Sequence, residues 1–212
     1  MNHEIVPTIS GVQGYNQVIP SFIRSSQALD FKQTNRDFLP YLPSLPARVL
    51  DVGSGAGQNA AALANLGYSV VAFEPFIPFL KAAQSTYSRS KIQWIEDCLP
   101  GLESLGEKTP LFDFILVDGV WHHLDIEERD ASLLRLSELL RPRGLIAISL
   151  RNGPAGAGTH LFPTDSRATI QFAKTIGFSA ILHLENQPSL MPSKPNVVWS
   201  RIVLRKHSFK GS

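Results

Sequence analysis

Val49-Leu50-Asp51-Val52-Gly53-Ser54-Gly55-Ala56-Gly57 is the stretch on which the reading of this chain turns. Arg48 to Val52 is a short apolar run that stops at glycines, the pattern of a buried strand. Gln58 to Leu66 follows at once, Ala-rich and helical, with Gly67 placed to terminate it. Strand, glycine loop and helix in that order put a sharply turned backbone at the carboxyl end of a strand. Glycine allows the turn and a close approach to a ligand. Open α/β sheets bind small molecules at that end of their strands.

Outward from this unit, strands and helices alternate. Strands are expected over Ser69–Phe73, Ile92–Ile95, Phe112–Val117 and Leu145–Leu150. Helices are expected over Phe76–Tyr87, Ile126–Leu140 and Ser166–Ile176; Leu133, Leu136 and Leu140 share one face of the second. The last strands, Phe178–Leu184 and Val197–Leu204, are joined by about a dozen residues containing Pro188, Pro192 and Pro195. That connection holds no helix, so the pair should form a hairpin with one strand antiparallel. The expected fold is an α/β three-layer sandwich whose mostly parallel seven-stranded sheet ends in an antiparallel hairpin. Residues 1–46 differ, with Pro7, Gly11, Gly14 and Pro20, then Pro40, Pro43 and Pro46. A helix can lie between Ser21, as N-cap, and Leu39, where the proline cluster ends it. The division is therefore an N-terminal helical or irregular segment, 1–46, ahead of one domain, 47–212.

With 212 residues the chain can bury one full core, and 43% hydrophobic against 18% charged residues rules out a disordered composition. A net charge of +2 provides no field that steers it toward nucleic acid. Arg201, Arg205, Lys206 and Lys210 read as a solvated basic tail. Cys98 is the only cysteine, so no disulfide forms within the chain, which suits a reducing compartment. The opening MNHEIVPTIS lacks the pattern of a signal peptide, and no apolar run approaches the roughly 20 residues of a membrane helix. The expectation is a soluble cytoplasmic protein with no membrane or nucleic-acid partner.

Two cofactor classes compete for the loop. A dinucleotide site calls for G-x-G-x-x-G, but the third glycine here is Gly57 and the position after it is Gln58, giving G-x-G-x-G. No G-x-x-x-x-G-K-[ST] string exists, which excludes a Walker-type phosphate loop. Glu74 ends the second strand about 20 residues beyond the loop, where a carboxylate accepts hydrogen bonds from ribose hydroxyls. That feature suits adenosine-containing ligands generally, a nicotinamide dinucleotide of an oxidoreductase included.

The stretch VLDVGSGAGQNAAALANLGYSVVAFEP resembles the cofactor-binding region of class I, Rossmann-like S-adenosylmethionine-dependent methyltransferases. IEDCLPGL, FDFILVDGVWHHL and LLRPRGLIAISLRNGP are similar to the later motifs in strand order, so the likeness covers about residues 47–152. The resemblance implies S-adenosylmethionine as cofactor, with the Gly53, Ser54, Gly55 and Gly57 loop on its methionine part and Glu74 on the ribose diol. Asp51 and Pro75 belong to the same cofactor-binding set. Asp97 matches the residue that bonds the adenine amino group, Cys98 and Leu99 the lining of the adenine pocket, and Asp118 a position beside the methionine end. The resemblance also implies that the N-terminal segment, with Tyr15, Arg24 and Arg36, folds over the cofactor as a lid.

Methyl transfer from a sulfonium needs alignment and exclusion of water, and a base where the acceptor carries a proton. His122 and His123 follow the fourth strand and have the right chemistry for that base. They can equally pack the loop into the next helix, and adjacent histidines alone do not make a metal site. Trp121, Arg151 and Tyr15 are the candidate substrate contacts; Arg151 suits an anionic substrate or a surface salt bridge. The Asn-Pro-Pro-Tyr string of amino-methylating DNA enzymes is absent after the fourth strand, as are a Pro-Cys dipeptide and a basic extension. A small-molecule acceptor is left by elimination. The rival readings are a nucleotide-dependent oxidoreductase and a non-catalytic binding module on the same fold.

Overall fold

A computed structural model describes residues 10–106, 108–191 and 194–208. Pro7, Pro192 and Lys210, named above, lie outside the described residues. Seven strands form one sheet: β1 (Arg48–Val52), β2 (Ser69–Phe73), β3 (Ile92–Ile95), β4 (Phe112–Val117), β5 (Leu140–Asn152), β6 (Phe178–Pro188) and β7 (Val198–Lys206). Their order is β3-β2-β1-β4-β5-β7-β6. The first five run parallel, and β7 inserts antiparallel between β5 and β6. The expected hairpin is there. It also separates this sheet from the 3-2-1-4-5-6 order of dinucleotide-binding folds.

Helices α3 (Gln58–Asn65), α4 (Ile77–Thr86), α5 (Ile126–Leu139) and α6 (Ser166–Thr175) connect or cover the strands, and α1 (Ile19–Gln27) and α2 (Phe31–Thr34) precede them. Strand side chains alternate between faces. Leu50, Ile115, Ile146 and Ile148 join one apolar cluster with Leu133, Leu136 and Ile170 of α5 and α6. Val49, Phe114, Leu116 and Ala147 join the other, with Ala60 and Leu63 of α3 and Phe31 of α2. Both faces are covered, so these strands read as near-continuous apolar runs.

Four expectations are corrected. Ser21 is not an N-cap: α1 starts at Ile19 with Pro20 in its first turn, and the Ser21 hydroxyl donates back to the Val18 carbonyl at 2.9 Å. The single helix expected up to Leu39 is broken, because Asp30 caps a separate α2 by accepting from the Lys32 N–H at 2.8 Å. Strand β5 begins five residues early, at Leu140, where it pairs with Phe112 before a register shift. A fourth correction concerns the basic tail. Arg201 is buried in β7, and its Nε lies 3.5 Å from Asp37. The Lys206 ammonium donates to the Ser137 and Leu140 carbonyls at the carboxyl end of α5, where a helix favours a cation.

Candidate active site

The chain reverses its direction of travel across the sheet at β1, which lies between β2 and β4, and the crevice beyond their carboxyl ends is the place for a ligand. The β1–α3 loop lines it. Gly53, Gly55 and Gly57 have φ of 68°, 54° and 88°, a region other residues rarely adopt. A Cβ on Gly53 would overlap the Val120 side chain, and one on Gly57 would come 2.7 Å from Ala83 Cβ and 2.8 Å from Trp94 Cη2. The Ser54 N–H donates to the Phe73 carbonyl at 2.7 Å, tying the loop to β2.

Glu74 completes this arrangement. Its Oε2 accepts from the Gly55 N–H at 2.7 Å and its Oε1 from the Phe76 N–H at 2.8 Å, across the turn that contains Pro75. The carboxylate is 5% exposed, and burial pushes it up to about 7 against those two donors. Each oxygen keeps a lone pair for a further donor.

Two more carboxylates stand at the ends of β1 and β4. Asp118 accepts from the Ser149 hydroxyl at 2.7 Å and the Asn59 amide at 3.1 Å, and Asn59 in turn accepts from Asn35 at 3.2 Å. Asp51 is 1% exposed, and its Oδ2 has no hydrogen-bond partner. Burial, then the neighbouring Asp118 charge, push Asp51 up to about 8. A buried acceptor left open beside a second carboxylate is suited to a cationic ligand group.

Beyond β3, Asp97 accepts from the Cys98 N–H at 2.7 Å and the Ser104 N–H at 2.8 Å, so it organises the turn it begins. Cys98 is half-buried, and burial pushes its thiol up, away from nucleophile chemistry. Leu99 packs into the apolar cluster with Val71 and Phe73.

The loop after β4 brings His123 to the N-terminal segment. His123 Nδ1 lies 2.9 Å from the His160 carbonyl, so it carries the proton, and Nε2 accepts from the Tyr15 hydroxyl at 3.2 Å. Burial holds His123 below its usual range, so it is neutral at pH 7. Burial pushes Tyr15 up to about 12, the Glu74 charge adding to it. His122 turns inward against Trp199, with ring centroids 6.1 Å apart, and its Nδ1 has no partner. Burial first, then the charges of His123, Arg151, Arg129 and Lys194, hold it well below its usual range.

Trp121, expected as a substrate contact, packs into the core instead. It is 1% exposed within the core, with its indole N–H directed at Thr169 of α6 at 3.4 Å, because burying a large ring there fills the space between β4 and α6. Arg151 is buried at the end of β5 and donates to the Gly153 and Pro154 carbonyls; among the described residues it has no salt bridge. Arg36 pairs with its neighbour Asp37 at 3.8 Å, and among the described residues neither it nor Arg24 has a side-chain hydrogen bond or salt bridge to the glycine loop, Glu74 or His123.

Several contributors carry no sequence signal of their own. Phe22 stacks on Phe79 at 4.4 Å, and Tyr15 meets both edge-on. Gln27 of α1 donates to the Ala56 carbonyl and to Thr86, both at 3.1 Å, which docks α1 on the glycine loop. Arg129 of α5 donates to the Trp121, Pro163 and Phe162 carbonyls and so fixes the histidine loop. Among the described residues no group of three or more His, Cys, Asp or Glu side chains could hold a metal, and no helix is long and apolar enough to cross a membrane.

Residues 50–148 match the family model described as "Methyltransferase domain". An uncharacterized methyltransferase of Mycobacterium tuberculosis is 34% identical over 111 residues, 50% of this chain and 54% of that one. A ubiquinone biosynthesis O-methyltransferase of Chelativorans sp. is 30% identical over 141 residues, 65% of this chain and 52% of that one. The chain thus spans about half the length of these curated relatives. Among solved structures, Burkholderia thailandensis 1,6-didemethyltoxoflavin-N1-methyltransferase, with bound 1,6-didemethyltoxoflavin and S-adenosylhomocysteine, superposes with a TM-score of 0.69 at 21% identity. That match covers 92% of this chain and 87% of the other. A TehB-like methyltransferase from Corynebacterium glutamicum gives 0.65 at 19% identity, over 91% and 97%. The seven-stranded sheet thus has the Rossmann-like fold of these solved methyltransferases, and residues 50–148 resemble a methyltransferase domain.

Proposed function

We propose that this protein transfers a methyl group from S-adenosylmethionine to a small-molecule acceptor. The observation that carries the reading is the pairing of two buried carboxylates around the glycine loop. Glu74 is bonded to the Gly55 N–H with lone pairs to spare, and Asp51 has a buried oxygen without a hydrogen-bond partner. The first fits the ribose diol, the second the ammonium of the methionine part. Asp118 adds negative charge on that side, while Gly53, Ser54 and Gly57 set the loop's path. Asp97, Cys98, Leu99 and Pro75 are assigned the adenine end.

The cofactor supplies a methyl group already activated on a sulfonium. The chain has then to align the acceptor and keep water out. The N-terminal segment acts as the lid in this reading: among its described residues Phe22 lies 3.8 Å from where a Cβ on Gly55 would be, Tyr15 packs on Phe22, and α1 is hydrogen-bonded to the loop. His123, neutral and with Nε2 as acceptor, is the group that receives a proton, directly or from the Tyr15 hydroxyl. His122 supports it from the core. The proposal sets the enzyme in the cytoplasm, in keeping with its lone thiol.

Calorimetric titration with S-adenosylhomocysteine, beside NAD and NADP, tests this. Saturable one-to-one binding of the first is expected. Binding of a nicotinamide cofactor alone would overturn the reading. A bound donor with no methyl transferred to a broad acceptor panel would favour the non-catalytic module instead.

A further inference from the structure

A cavity of about 190 Å³ opens between the end of β5 and the β6–β7 connection. Arg151, Lys194, Asn196, Pro154, Pro195 and Val197 are among the residues that line it. Two cations face this space. Among the described residues neither lies within salt-bridge distance of a carboxylate. Arg151 spends two of its donor groups on the Gly153 and Pro154 carbonyls, which hold the guanidinium in place. Burial first, and the Arg151 charge second, depress the Lys194 ammonium. Two like charges held together against a partly apolar wall are destabilising unless an anion joins them.

The cavity adjoins the pocket described above. Arg151 pairs with Trp199 across β5 and β7, and Trp199 meets His122 with ring centroids 6.1 Å apart. The loop that supplies Pro154 continues to Gly158, where a Cβ would come 2.7 Å from the His123 ring and 2.9 Å from the Tyr15 ring. A volume of 190 Å³ equals about six waters at roughly 30 Å³ each, below the roughly 300–1,000 Å³ of sites that enclose a drug-sized ligand. It is the size of one functional group with a short stem or ring. The aliphatic wall of Pro154, Pro195 and Val197 suits a carbon body, and the Arg151 fork suits a planar or tetrahedral oxyanion.

We infer that Arg151 and Lys194 form an anion subsite of the acceptor pocket, so that the methyl acceptor is a small organic acid bearing a carboxylate or a phosphate ester. The inference rests on the proposed methyl-transfer site next to it, and the test separates the two.

Benzoate, phenyl phosphate, inorganic phosphate and uncharged benzyl alcohol are titrated calorimetrically into the full chain, with and without saturating S-adenosylhomocysteine. Benzoate or phenyl phosphate should bind saturably, and whichever binds tighter identifies the oxyanion. Lys194→Gln should weaken that binding about tenfold or more, and Lys194→Glu should abolish it. Neither should change affinity for S-adenosylhomocysteine by more than about twofold. Lys194 lies in a connection, so these variants are expected to fold, and a melting curve checks that they do. The inference is overturned if neither organic anion binds, if benzyl alcohol binds as well as benzoate, or if inorganic phosphate alone binds. It is equally overturned if Lys194→Gln weakens S-adenosylhomocysteine and benzoate by the same factor, for then the cations hold the cofactor's own carboxylate. If the anions bind but S-adenosylhomocysteine does not, the subsite stands and the methyltransferase reading falls.

Discussion

In the proposed site, Asp51 should make cofactor binding a proton-linked event. In the free protein its carboxyl is pushed up to about 8, by burial first and by the Asp118 charge second. At pH 7 such a group is mostly protonated, and ionising it costs on the order of 1 kcal/mol. An ammonium placed against the open Oδ2 reverses the balance and drives the proton off. Binding at pH 7 should therefore release most of one proton from Asp51. Glu74, raised to about 7, adds up to about half a proton when ribose hydroxyls stabilise its charge. Both contributions have one sign, so affinity rises with pH across roughly 6 to 8. The assay is calorimetry with S-adenosylhomocysteine at several pH values, in buffers of different ionisation enthalpy, which counts the protons. Asp51→Asn keeps the shape and removes the titration: it should bind more weakly at pH 8 and with a flatter pH dependence. Affinity that is independent of pH, or that falls between pH 6 and 8, would refute the placement of a cation at Asp51. Stability supplies an independent sign check. A carboxyl raised from 3.8 in the unfolded chain to about 8 when folded binds the proton more tightly in the folded state. Its contribution is thus lost as pH rises through about 8, and Asp51→Asn should gain on the wild type in melting temperature over the same interval.

Other residues give separate tests. Glu74→Ala should weaken S-adenosylhomocysteine by about 1–3 kcal/mol, since the Gly55 and Phe76 N–H groups and the ribose lose their acceptor; unchanged affinity in a folded variant would remove the ribose role. Arg129→Met strands three carbonyls and should cost about 2–4 kcal/mol in denaturant unfolding, with the histidine loop loosening first in hydrogen exchange. A cost near zero would show that the loop is held by other contacts. Nitrogen-15 NMR of His123 should show the Nδ1–H tautomer and titration below its usual 6.5, with the Nε2 signal moving in Tyr15→Phe. A proton on Nε2 in the free protein would contradict its assignment as acceptor.

The β1–loop–α3 unit was legible because its signal is local: an apolar run, three glycines that need positive φ, and an Ala-rich helix. Glu74 was legible because one crossover fixes where β2 ends. The start of β5 was not, since Leu140 extends the strand only through pairing with Phe112, 28 residues away. Lys206 read as tail because sequence shows a charge near the terminus and not the α5 carbonyls it meets. Trp121 sits between two plausible environments, and only the position of α6 decides for the core. The chain Asn35, Asn59, Asp118 and Ser149 draws on four separate segments, so no spacing could reveal it. Lys194 is likewise unremarkable until the fold sets it across from Arg151.

The central claim is that the crevice beyond β1 and β2 holds S-adenosylmethionine, with its ribose on Glu74 and its ammonium toward Asp51. A crystal structure of the S-adenosylhomocysteine complex tests it most directly. The account predicts both ribose hydroxyls within about 3 Å of the Glu74 carboxylate and the amino group in hydrogen-bond reach of the Asp51 side of the loop. A ligand whose ribose lies away from Glu74, or whose amino group turns from Asp51, would contradict it.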